Sequence, residues 1–234
     1  MQSNLSRSPA NRRATDLILA RDTAFASMLA AIIALIVAVA LDLTCIVPVL
    51  SGNVSYNPIR DFLSYQVDAQ SGQLMTGVFL LLAVAAWSFA IAAFLAPNRP
   101  NIKILLGATF LFGAGLFIGA CFRAVPKPEL AAEPLMKINA RLHDIGIGGG
   151  FVPAMLAAFM DQHKIVLGRV PGYFLTKLSF WLIVVGAVGT ALAVLILHNV
   201  AGLMQRCYVL GLVLWLITEA HQLFWSSTEK HSDE

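Results

Sequence analysis

Apolar residues in this chain do not alternate with polar ones at the period of a strand, nor do they gather on one side of a helix. They come in long runs broken by short polar stretches. Six runs are long enough to cross a bilayer core, which takes about 20 residues as a helix. They extend from about Ala24 to Val47, Leu74 to Ala96, Ile102 to Cys121, His143 to Met160, Phe174 to Leu197 and Met204 to Trp225. The pattern therefore predicts an all-α integral membrane bundle of six transmembrane helices. Residues 1–23 form a basic leader, 24–225 the six-helix domain and 226–234 a short tail. Leader and tail are polar enough to be flexible on their own.

Composition agrees. Of 234 residues 58% are hydrophobic and 12% charged, against about half and a quarter in an ordinary soluble domain. This length leaves no room for a sizeable soluble catalytic domain beside six spans. The formal net charge is +3, and the basic residues are spread along the chain, which argues against a nucleic-acid partner. They do report orientation. With both termini in the cytoplasm, ten Lys and Arg fall inside and six outside, in the sense of the positive-inside rule for a bacterial inner membrane. Four of the six outer charges, Arg123, Lys127, Lys137 and Arg141, belong to one connection.

The first outer connection carries Tyr56-Asn57-Pro58-Ile59-Arg60-Asp61-Phe62-Leu63-Ser64. Asn57 suits an N-cap and Pro58 the first helical position, so a short outer surface helix is expected from Pro58 to about Gln66. Ile59, Phe62 and Leu63 make its apolar side, and Arg60 and Ser64 share the other. On the third span Gly115 and Gly119 form a small-xxx-small pair. On the fourth, Asn139, His143, Gly146 and Gly150 fall on one stripe, because seven residues make about two turns. Glycines mark the face that meets other helices, so Asn139 and His143 are expected to point into the bundle.

An ionisable group in that position needs partners, and Asp42, Arg60, Asp61, Arg123 and Asp144 are at hand on the outer side. His143 reads either as a ligand or base in an outward-facing pocket, or as a histidine bonded to a backbone carbonyl or to Asn139. Asp42 lies near its helix end, where snorkelling suffices. Glu219 and His221 lie near the inner end of the last span, satisfied by Arg21 or by solvent, and take no role. Cys45, Cys121 and Cys207 are three in number and set in apolar sequence, which favours buried free thiols. No CxxC, HExxH or GxSxG occurs, Gly148-Gly149-Gly150 lacks the context of a phosphate loop, and His143 with His198 makes a poor haem pair. No metal site and no cofactor is indicated.

Tyr56-x-Pro58-x-Arg60-Asp61-x-x-Ser64, Phe122-Arg123-Ala124-x-Pro126 and Arg141-Leu142-His143 together resemble the bacterial membrane family catalogued as domain of unknown function 998. The resemblance runs from about Ala24 to Trp225. It departs at Val125, where such proteins often carry an acidic residue, and at Asn139, where they often carry a first histidine. It implies six spans and an outward-facing cluster, and no activity.

Three functions compete. One is an outward-facing polar pocket, lined by Arg60, Asp61, Ser64, Arg123, Asn139, His143, Asp144 and Asp42, that binds an anionic lipid head group or small solute. Another is an intramembrane acid–base enzyme using His143. The third is a structural subunit that meets membrane partners through Gly115, Gly119, Gly146 and Gly150. Membrane lipids are partners in every case. The first reading is preferred, because no nucleophile motif or metal-ligand set stands out.

Overall fold

The computed structural model describes residues 9–50, 57–61, 63, 72–96, 102–122, 134–166, 174–196 and 198–232. Among them lie six α-helices: α1 (Pro9–Leu50), α2 (Gly72–Leu95), α3 (Ile102–Cys121), α4 (Pro134–Val166), α5 (Phe174–Leu195) and α6 (Ala201–Ser232). No strand occurs among the described residues. All six are long and apolar enough to cross a membrane. The protein is an all-α, multi-pass membrane protein, as its apolar runs indicate.

Each helix packs on the next in sequence, and α6 returns to α1, so the helices close a ring. The α4–α5 contact is the sparsest link, and α6 leans inward to reach α2 and α4. Small residues make these contacts close. Along α1 the buried positions Ala20, Ala24, Ser27, Ala31, Ala34 and Leu41 recur at intervals of three, four or seven, an alanine-rich seam of the kind that lets helix backbones approach. Ser27 belongs to that seam and its hydroxyl donates to the Ala85 carbonyl of α2 (2.8 Å). Trp215 of α6 is fully buried and meets Phe89 of α2 edge-on, 6.1 Å between centroids.

Three helices outrun the bilayer. α1 has 42 residues, α4 has 33 and α6 has 32, or about 63, 50 and 48 Å at 1.5 Å per residue, against a core of about 30 Å. α1 begins at Pro9, inside the leader that composition alone left flexible. The reason is burial of Leu17, Ala20 and Ala24 on one side of it, while the Phe25 and Phe224 rings meet at 6.0 Å where α6 runs alongside. Arg21 pairs with Asp22 (3.1 Å), not with Glu219, which is buried.

The α3–α4 crossing is made by backbone. A Cβ on Gly115 would strike the Gly146 carbonyl and come within 2.8 Å of the Gly150 Cα, and one on Gly150 would lie 2.9 Å from the Leu111 carbonyl. Gly119 packs under Ile147 and His143, and Gly146 under Ile118. All four glycines named in the sequence are thus taken up inside the chain, and a partner subunit would have to be met on another face.

Candidate functional site

The densest polar arrangement lies at the end of the bundle opposite the two termini, and its centre is Arg206 in the second turn of α6. Its Nε–H and Nη2–H donate to Asp42 Oδ2 and Oδ1 of α1 (2.8 and 2.9 Å), a two-point fork across 164 positions of sequence. Its Nη1 donates to the carbonyls of Pro58 (2.6 Å), Asp61 (3.0 Å) and Gly202 (3.1 Å). One guanidinium thus ties together α1, α6 and the connection between α1 and α2. Both side chains are largely withdrawn from solvent, Arg206 at 14% exposure and Asp42 at 20%. A planar guanidinium suits this task because its donors form a rigid fork matched to a carboxylate.

The connection is held just as firmly by its backbone. Asn57 caps the turn as the sequence indicates: its Oδ1 accepts the Ile59 N–H (3.0 Å), and its carbonyl accepts those of Arg60 (3.1 Å) and Asp61 (2.7 Å). The Asp61 carboxylate accepts in return from the Asn57 N–H (2.7 Å). The first N–H groups of a helix lack partners of their own. Here those of Gly202 and Leu203 donate to the carbonyls of Arg60 (3.1 Å) and Ile59 (2.9 Å), and Gln205 Oε1 accepts the Leu63 N–H (2.7 Å). A Cβ on Gly202 would collide with the Asp61 carbonyl and reach 2.7 Å from that of Pro58, so only glycine lets the turn sit on the helix end. Ile59 faces outward while Leu63 is buried in the core. The apolar side of this segment is therefore split between surface and interior, because the bonds to α6 set its orientation. Phe62 and the remainder of the expected surface helix lie outside the described residues.

Arg60 pairs with its neighbour Asp61. Its Nε–H donates to Asp61 Oδ1 (2.8 Å), with the Arg60 side chain more than half exposed. Burial pushes the Asp61 carboxyl up, but hydrogen bonds from Arg60 and the Asn57 N–H, with the charges of Arg60 and Arg206, outweigh it and hold the group below the usual aspartate value. The hydrogen bond to Asp61 and its charge raise Arg60 in turn.

Below the Asp42–Arg206 pair opens a cleft of about 240 Å³ between α1, α2 and α6. Ala34, Leu35, Ala38 and Val39 form one wall, and Leu203, Cys207, Val209, Leu210 and Val213 the other. Val78 and Leu82 of α2, both buried, make the floor, and Leu63 closes the end beside the ion pair. From Ala34 to Asp42 and from Leu203 to Val213 this is about 12–15 Å of helix. It is an apolar slot with one charged end.

His143 belongs to another seam. It is buried between α3 and α4, and its Nδ1 lies 2.8 Å from the Phe122 carbonyl at the end of α3. A carbonyl only accepts, so Nδ1 carries the proton and His143 satisfies one of the carbonyls that a helix end leaves open. Nε2 is buried with no partner among the described residues. Asn139 is half-buried one turn away, and Asp144 is exposed. Ser64 and Arg123 lie outside the described residues. Of the expected cluster, the structure brings Asp42, Arg60 and Asp61 together around Arg206, and sets Asn139, His143 and Asp144 on α4. Arg206 is the residue that sequence reasoning missed. Cys121 and Cys207 are free, Cys121 exposed and Cys207 on the cleft wall. The side chain of Cys45 lies outside the described residues. Among the described residues no three His, Cys, Asp or Glu side chains gather as metal ligands would.

Fold and site together define a multi-pass integral membrane protein with a salt-bridged clasp at one end of an apolar cleft. The model of the family Protein of unknown function (DUF998) matches residues 36–222, a range that includes Asp42, the Asn57 turn, His143 and Arg206. The chain belongs to that family. No curated protein and no solved structure matches it.

Proposed function

We propose that this protein binds a lipid-like amphiphile in the cleft between α1, α2 and α6, with the apolar part along the helix walls and the polar end at Asp42–Arg206. The observation that carries this reading is the joining of an apolar slot to a partly solvated ion pair at one end, the polarity profile of an amphipathic ligand. The basic-residue distribution supports a setting in a bacterial inner membrane with both termini in the cytoplasm, which puts the clasp on the outer side. A spare cation for an anionic head group, expected from the sequence, has no support at Arg60, which Asp61 occupies, or at Arg206, which Asp42 occupies. Filling the slot tests the proposal. Wild-type protein washed in detergent should retain about one amphiphile per chain by native mass spectrometry, and Ala38→Phe, which places a ring inside the cleft, should lose it while keeping its fold by circular dichroism. Equal retention by both proteins would remove the cleft as the site.

A further inference from the structure

The polar end of the ligand can be specified from which hydrogen-bonding groups at the clasp are already used. This step rests on the cleft reading above and adds the chemistry that it selects. A guanidinium has five N–H donors; in Arg206 the Nε–H and an Nη2–H take the two Asp42 oxygens, and the two Nη1–H groups are shared among the carbonyls of Pro58, Asp61 and Gly202. Nη1 is committed to these three carbonyls. A carboxylate has about four lone-pair positions, and the fork from Arg206 engages one on each Asp42 oxygen. Asp42 lines the cleft and retains partial exposure there. The other lining groups are aliphatic apart from Arg206, paired with Asp42, and the Cys207 thiol, a weak donor. What Asp42 offers an incoming molecule is therefore an acceptor carrying negative charge, beside a cation whose fork it already holds.

We infer that the cleft takes a single hydrocarbon chain ending in a hydrogen-bond donor, a hydroxyl or an amine, and rejects chains ending in phosphate or carboxylate. A donor completes the empty acceptor positions of Asp42. An anionic end would set like charge against Asp42 and would have to compete with it for the Arg206 fork. The slot is about 12–15 Å long and about 240 Å³ in volume, which suits one chain lying along α1 and α6.

Cys207 on the cleft wall is a native reporter. In the full-length protein in nanodiscs, with Cys45→Ser and Cys121→Ser leaving it the one thiol, alkylation by a membrane-permeant maleimide is timed in the presence of dodecanol, dodecylamine, dodecanoate or dodecyl phosphate. The alcohol and the amine should slow the reaction about tenfold, the effect of one hydrogen bond to a charged group, and the two anions less than about twofold. The alcohol and amine arms separate a neutral donor from a cationic one. Asp42→Asn should reverse the order, because the loosened Arg206 fork then faces the cleft. Should that variant fail to fold, the wild-type order alone decides. Equal slowing by all four chains, or stronger slowing by the anions, overturns the donor preference and leaves the cleft in place. No slowing by any of them removes the cleft reading itself.

Discussion

The clasp makes a quantitative claim that a double-mutant cycle can check. Arg206→Met removes the fork from Asp42 and also strands the carbonyls of Pro58 and Asp61. Breaking a fully buried ion pair by deleting one partner costs about 3–5 kcal/mol. Here Asp42 and Arg206 keep 20% and 14% exposure, so water recovers part of that and about 2–3 kcal/mol is expected. Asp42→Leu should cost about 2 kcal/mol, because Arg206 keeps its carbonyl acceptors. With both replaced, no charge is left uncompensated, and the cost should be about 2 kcal/mol, not the sum of about 4–5 kcal/mol. The coupling is thus about 2–3 kcal/mol. Arg206→Lys, which preserves charge and loses the fork, should fall between wild type and Arg206→Met. Reversible unfolding in mixed micelles of increasing dodecyl sulfate content, followed by tryptophan fluorescence, measures each value. Single costs that add to the double within about 0.5 kcal/mol would refute the coupling, and with it the claim that this pair fastens α1 to α6.

Glycine substitutions should separate close contacts from open helix surface: Gly202→Ala and Gly115→Ala should each cost about 1–3 kcal/mol in the same assay through collision with backbone, whereas Gly148→Ala, with nothing within 4 Å, should be neutral or stabilise by about 0.5–1 kcal/mol. Similar costs at all three positions would mean that the crossings are not backbone-to-backbone. For Asp61 the folded carboxyl titrates below its unfolded value, so its contribution is present above the ordinary aspartate range and disappears as pH falls through the folded value. The stability difference between wild type and Asp61→Asn should be flat from pH 7 to about pH 5 and shrink below about pH 4; a difference that grows on acidification has the opposite sign and rejects the linkage.

The spans were legible because a bilayer imposes a length and a polarity that six runs satisfy. The Asn57 cap and the Gly115–Gly150 crossing were legible because each rests on local residue chemistry, a side-chain acceptor or a missing Cβ. His143 was placed correctly inside the bundle by its stripe with Gly146 and Gly150. The carbonyl it serves, that of Phe122, leaves no mark in a sequence, since every residue has one. Arg206 leaves a mark in the sequence of another kind. It is one of three Lys or Arg residues within the six apolar runs, each near the start of its run like Lys103 and Lys177, and it is the one at the same end of the bundle as Asp42 of the first run. Opposite charges at equal depth in apolar surroundings seek each other, and that reasoning would have joined the first helix to the last. The segment from Pro58 to Leu63 was harder, because its orientation comes from backbone bonds to the α6 end that no side-chain periodicity encodes.

Asp42 and Arg206 stand 164 positions apart, and that separation has a meaning in time. At about 5–20 residues per second, the ribosome adds Arg206 roughly 10–30 s after Asp42. Through that interval the nascent chain carries an aspartate at the membrane edge without its counter-ion, and the first connection lacks the helix end whose N–H groups donate to its carbonyls. A chain cut short before α6 never acquires either. The sixth helix thus closes the first, and the clasp forms only in a chain that has been made as far as α6.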